Sequence, residues 1–109
     1  MAGGVNRGDI RLYSFGRPDK RRPVVVLTRQ EVIPLLSSVM VAPVTSAIRG
    51  APSEVVIGVS EGLKNPSAIN LDHVQTVEQR RLGRYLGSVG PEGMARVCRA
   101  LAIATGCAG

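Results

Sequence analysis

The feature that most restricts this chain is its cadence: short β-branched and apolar runs are repeatedly broken by Gly, Pro and Ser, and only the last stretch adopts a helical period. Ile10 to Phe15 reads as a strand opened by the Gly8-Asp9 turn, and Gly16 to Arg21 reads as a basic turn. Pro23 to Thr28 is a continuous β-branched run, predicting a strand buried on both faces with its proline at the tolerated first position. Ser38 to Thr45 alternates as a strand, Ser46 to Pro52 is a loop, Glu54 to Val59 is strand again, and Ser60 to Pro66 turns. Ser67 to Leu71 and His73 to Val77 are two further short strands. Glu78 to Leu82 fits one helical turn before a last strand, Arg84 to Val89.

After Pro91 the period changes. Met94, Val97, Cys98, Leu101, Ala102 and Thr105 recur at helical spacing and predict the face turned to the sheet, with Glu92, Arg96 and Arg99 off it. Pro91 suits a first turn and Gly106 a stop. Ile103 stands apart as either a surface residue or a contact to a second copy. The pattern is mainly β with a C-terminal helix, folded as a small, strongly bent barrel. At 109 residues, the expectation is one domain spanning 1–109.

Composition narrows the function classes. No apolar run approaches the roughly 20 residues that span a bilayer, and Met1 to Val5 lacks the pattern of a secretion signal, so the expected location is cytoplasmic, with no membrane partner. Two cysteines and one histidine do not make a zinc shell; the plain reading is a buried thiol at Cys98 and a frayed one at Cys107. Fourteen Lys and Arg, twelve of them Arg, against eight Asp and Glu give a net charge of +6. Such a field favours polyanions, and guanidinium forks match phosphate, although arginine richness also follows a GC-rich genome. With only Tyr13, Phe15 and Tyr85 as aromatics, no broad base-stacking platform is evident.

Most enzyme templates are missing: no phosphate-cradling glycine loop before a lysine, no paired-histidine metal motif, no spaced carboxylates. Asp72 and His73 would point to opposite faces of a strand, poorly placed to pair. What remains is a basic turn leading into a buried strand and a second strand ending in a hydroxyl.

The order of those segments is specific. Arg7-Gly8-Asp9-Ile10, then Arg22-Pro23-Val24-Val25-Val26-Leu27, then Val41-Ala42-Pro43-Val44-Thr45-Ser46 closely resemble the MazF/PemK family of toxin endoribonucleases. Asp72 to Val77 and Arg80-Arg81-Leu82 also fall where that family has similar segments, so the likeness runs from Arg7 through the final helix.

The resemblance implies an SH3-like small barrel of the MazF/CcdB toxin type and a homodimer with RNA in a groove near its interface. It implies a toxin of a type II toxin–antitoxin system, blocked by a cognate antitoxin with a flexible acidic segment. The activity would be sequence-specific, metal- and cofactor-independent cleavage of single-stranded RNA (mRNA, tRNA or rRNA), halting translation and growth. The arginine before the proline and the threonine ending the third strand map onto Arg22 and Thr45 as catalytic residues. Taken alone, these would read as a solvated turn arginine and an ordinary strand threonine.

Some relatives carry a glutamate in the loop before the arginine. Here that loop is short and holds only Asp19, a candidate acid or base alongside His73, which stands where the family commonly has glutamine. Arg17, Lys20, Arg21 and Ser46 are the expected RNA contacts. Two rivals share this architecture: a CcdB-like toxin that binds a gyrase subunit, and a barrel that binds RNA without cutting it.

Overall fold

The computed structural model describes residues 4–16 and 21–107. Seven strands are present: β1 (Asp9–Ser14), β2 (Arg21–Val26), β3 (Ser38–Thr45), β4 (Glu54–Ile57), β5 (Ser67–Asn70), β6 (Gln75–Glu78) and β7 (Tyr85–Ser88), followed by helix α1 (Pro91–Thr105). All pair antiparallel in the order β4-β5-β3-β2-β1-β7, with β6 beside the first half of β3. The result is a half-barrel sheet with a C-terminal helix against it.

The bend is made within β3. Ser38 to Val41 pair with β6, whereas Val44 and Thr45 pair with β5. Ala42 and Pro43 sit at the changeover, and Pro43 has no amide to offer a ladder there. One strand therefore serves two sheet segments, and its end, Thr45, lies where they diverge.

The valine run is buried on both faces because the sheet has a core on each side. Val25 joins Ile10, Ala42, Val44, Ile69 and Leu71 in the cluster under α1. Val24 and Val26 point the other way, to Ile33, Val39, Val41, Val77 and Leu82, with Val5, Tyr13 and Phe15 packed against them. Each fully buried side chain of this size contributes roughly 1.5–3 kcal/mol.

Gly8 shows why the Arg-Gly-Asp opening takes that form. Its φ is +89°, and a Cβ there would lie 2.9 Å from the Val89 carbonyl oxygen. The Gly8 amide donates to Val26 O while its carbonyl accepts from Val89 N, tying β2 to the entry of α1.

Several expectations are corrected. Strand β2 starts two residues earlier, so Pro23 is its third residue, opposite Leu12. His73 is not in a strand: Leu71–His73 is a 3-10 turn capped by the Asn70 side chain, which accepts from the Asp72 amide. A 3-10 helix at Gln30–Leu35, containing Pro34, had no periodic signal to announce it. The buried face of α1 runs through Gly93, Val97 and Ala100, so the stripe is rotated from the expected one. A Cβ on Gly93 would come within 2.5 Å of Val89, so small residues set the closest approach. Cys98 is consequently exposed, 3.2 Å from the Arg7 guanidinium, and Cys107 is exposed too.

Candidate active site

The ladder between β2 and β3 ends at Val24 opposite Pro43. Two residues further, on the same face by strand alternation, are Arg22 and Thr45. Both line two adjoining concavities. The larger, about 430 Å³, is bounded by Arg22, Thr45, Ser46, Lys64, Asn65 and Ser67. The smaller, about 170 Å³, is bounded by Arg22, Thr45, Arg49, Glu54, Asn70 and His73, with Pro43 and Ala47.

Arg22 is exposed, and its guanidinium takes part in neither ion pair among the described residues, Arg11–Asp9 and Arg80–Glu78. Its five donors are thus available to an incoming anion. Thr45 Oγ1 accepts from the Ala47 amide at 3.1 Å. That bond fixes the oxygen and leaves the hydroxyl proton to donate outward. Across β1, Tyr13 stands directly opposite Arg22, edge-to-face with Phe15 at 4.8 Å and under the Arg81 guanidinium at 5.8 Å.

The other sequence candidates fall unevenly. Ser46 lines the larger concavity and His73 the smaller, with His73 Nδ1 3.3 Å from the Asn70 amide nitrogen. Asp72 turns away from His73 and accepts from the buried Ser53 hydroxyl at 2.5 Å, so the two do not pair. Arg21 is exposed at the start of β2 and lines neither concavity. Arg17, Asp19 and Lys20 lie outside the described residues. Lys64, Asn65, Arg49, Glu54 and Asn70 were not foreseen, because turns distant in sequence bring them together. Among the described residues, no three His, Cys, Asp or Glu side chains converge as a metal shell.

A model of the PemK-like, MazF-like toxins of type II toxin–antitoxin systems matches residues 6–105. The chain belongs to this family. Endoribonuclease MazF3 of Mycobacterium tuberculosis is 45% identical over 69 residues, 63% of this chain and 67% of the relative. The solved Mycobacterium tuberculosis toxin MazF-mt6 superposes with a TM-score of 0.82 at 35% identity, covering 90% of this chain and 96% of that one. A mycobacterial endoribonuclease in complex with its cognate antitoxin gives a TM-score of 0.84 at 27% identity, covering 94% and 95%. The gyrase-binding rival loses ground accordingly: family and structural neighbours are MazF toxins. In this MazF-family chain, Arg22 and Thr45 occupy the meeting point of both concavities.

Proposed function

We propose that this MazF-family toxin cuts single-stranded RNA at selected sequences without a metal or cofactor, with Arg22 and Thr45 acting on the scissile phosphate. The observation that carries the reading is their shared position between two concavities, with a guanidinium that has no ion-pair partner among the described residues beside a hydroxyl whose proton is free to donate. Among the described residues, the larger concavity presents Arg22 and Lys64 and no carboxylate, as a polyanion requires.

The 2′-hydroxyl oxygen attacks the adjacent phosphorus, forming a P–O2′ bond as the P–O5′ bond breaks. The products are a 2′,3′-cyclic phosphate and a 5′-hydroxyl; the nucleophile gives up a proton and the leaving oxygen gains one. Charge grows on the non-bridging oxygens, where Arg22 can donate two hydrogen bonds and Thr45 one. Arginine stays protonated and is a poor base. His73, in the small concavity with Arg22 and Thr45, is the candidate for proton transfer, because an imidazole can both donate and accept a proton. Asp19 is the second candidate.

The endoribonuclease names of the relatives and the antitoxin complex of a mycobacterial neighbour support an RNA substrate and an antitoxin partner here. A net charge of +6 suits an acidic antitoxin segment. Leu36 and Met40, 46% and 44% exposed, line a mostly apolar hollow of about 270 Å³, and the preceding Leu35 is 80% exposed; this is the face that a second copy would cover in a homodimer. Residues 1–109 act as one toxin domain in the cytoplasm. No helix among the described residues is long and apolar enough to cross a membrane. Incubation with a long defined RNA, followed by mapping of 5′-hydroxyl ends, tests the activity: discrete cuts support it, and intact but bound RNA favours the non-cleaving barrel.

A further inference from the structure

The loop after Thr45 is held by an unexpected group. Glu54, the first residue of β4, accepts from the Arg49 amide at 3.1 Å and from the Gly50 amide at 3.0 Å, both through Oε1. Glu54 also lines the smaller concavity and is its only carboxylate among the described residues. A negative charge opposes RNA there, so its place is explained by what it holds: two backbone donors at the tip of a loop, one of them preceding Gly50 at φ +76°.

The consequence falls on Arg49. Its guanidinium is exposed, has no hydrogen-bond or ion-pair partner among the described residues, and lines the same concavity as Arg22 and His73. Lys64 stands in the other concavity, so the cations run Lys64, Arg22, Arg49 with Thr45 between. A single strand whose scissile phosphate lies at Arg22 carries its neighbouring phosphates toward those two outer charges.

We infer that Arg49 binds the phosphate flanking the scissile one on the small-concavity side, and that Glu54 is the positioning residue that holds it there. This rests on the endoribonuclease reading of the groove. A phosphate contact supplies affinity and register without reading sequence.

The test uses the full chain, a cleaved RNA of mapped sequence and the same RNA carrying one 2′-deoxy nucleotide at the cut. Arg49→Ala should raise KM about tenfold with kcat little changed. For the uncleavable RNA, the slope of log affinity against log salt should become shallower by about 0.7. Cut positions should stay the same. Glu54→Ala should reproduce the KM rise, the double variant should be no worse than Arg49→Ala, and Glu54→Gln, which keeps the acceptor oxygen, should resemble wild type. If Glu54→Ala loses its thermal transition, Glu54→Asp, one methylene short of both amides, reads the same effect.

Unchanged KM and salt slope in Arg49→Ala overturn the inference, as does a fall in kcat alone. Altered cut positions overturn it in favour of base reading. An additive double variant overturns the role of Glu54. Wild-type cleavage in the same series separates the two levels: its absence indicts the endoribonuclease reading, and its presence with an inert Arg49→Ala indicts only this inference.

Discussion

Arg22 on β2 and Thr45 on β3 sit two residues beyond the last pair of the ladder between these two strands, on one face, and each borders both concavities. Their backbones are fixed by antiparallel pairing, Arg22 to Tyr13 and Thr45 to Ala68, while their polar ends stay uncommitted or half-committed. A rigid frame presenting outward-facing donors stabilises charge that develops only during reaction.

Removing either donor should therefore lower the cleavage rate. Arg22→Ala and Thr45→Val are each expected to lose about a hundredfold or more in kcat, with Thr45→Ser retaining most activity because the hydroxyl remains. Single-turnover kinetics with circular dichroism of each variant checks this, and equal losses in Ser and Val would contradict the hydroxyl role.

Lys64 should behave differently. It is exposed beside the large concavity and takes part in neither ion pair among the described residues, so Lys64→Ala should weaken RNA binding while leaving the melting temperature unchanged. Titrations at several salt concentrations should show a slope shallower by about 0.7.

His73 carries a pH prediction. If its imidazole moves a proton during the reaction, His73→Ala should lower kcat and change the shape of the wild-type pH–rate profile. Superimposable profiles would remove His73 from proton transfer.

Two substitutions test the frame itself. Ile69→Ala, fully buried under α1, should cost about 2–5 kcal/mol. Gly8→Ala should cost more than about 1 kcal/mol, because it adds strain at positive φ to a clash with Val89 O. Chemical denaturation measures both; a neutral Gly8→Ala would contradict the account of the opening turn.

What the sequence made legible follows from periodicity and local chemistry. Strand β3 was bounded at Ser38–Thr45 because alternation persists even though the strand bends, and the end of α1 was marked by Gly106, which adopts φ +74°. The Arg22–Thr45 pair was found through segment order and family likeness, since nothing local distinguishes a turn arginine. The helix stripe was misjudged because Gly93 and Ala100 are small, and hydrophobic counting passes over residues whose role is close approach. Lys64, Arg49 and Glu54 were illegible for another reason: they come from separate turns and the start of β4, and only closure of the half-barrel brings them beside Thr45.

The most direct measurement of the central claim compares cleavage of one defined single-stranded RNA in excess EDTA by wild type and Arg22→Ala, with a matched RNA bearing a single 2′-deoxy nucleotide at the mapped cut. The account predicts discrete cuts with 2′,3′-cyclic phosphate and 5′-hydroxyl ends, lost both with Arg22→Ala and at the 2′-deoxy position. Undiminished cleavage of the 2′-deoxy RNA, or full activity in Arg22→Ala, would contradict it.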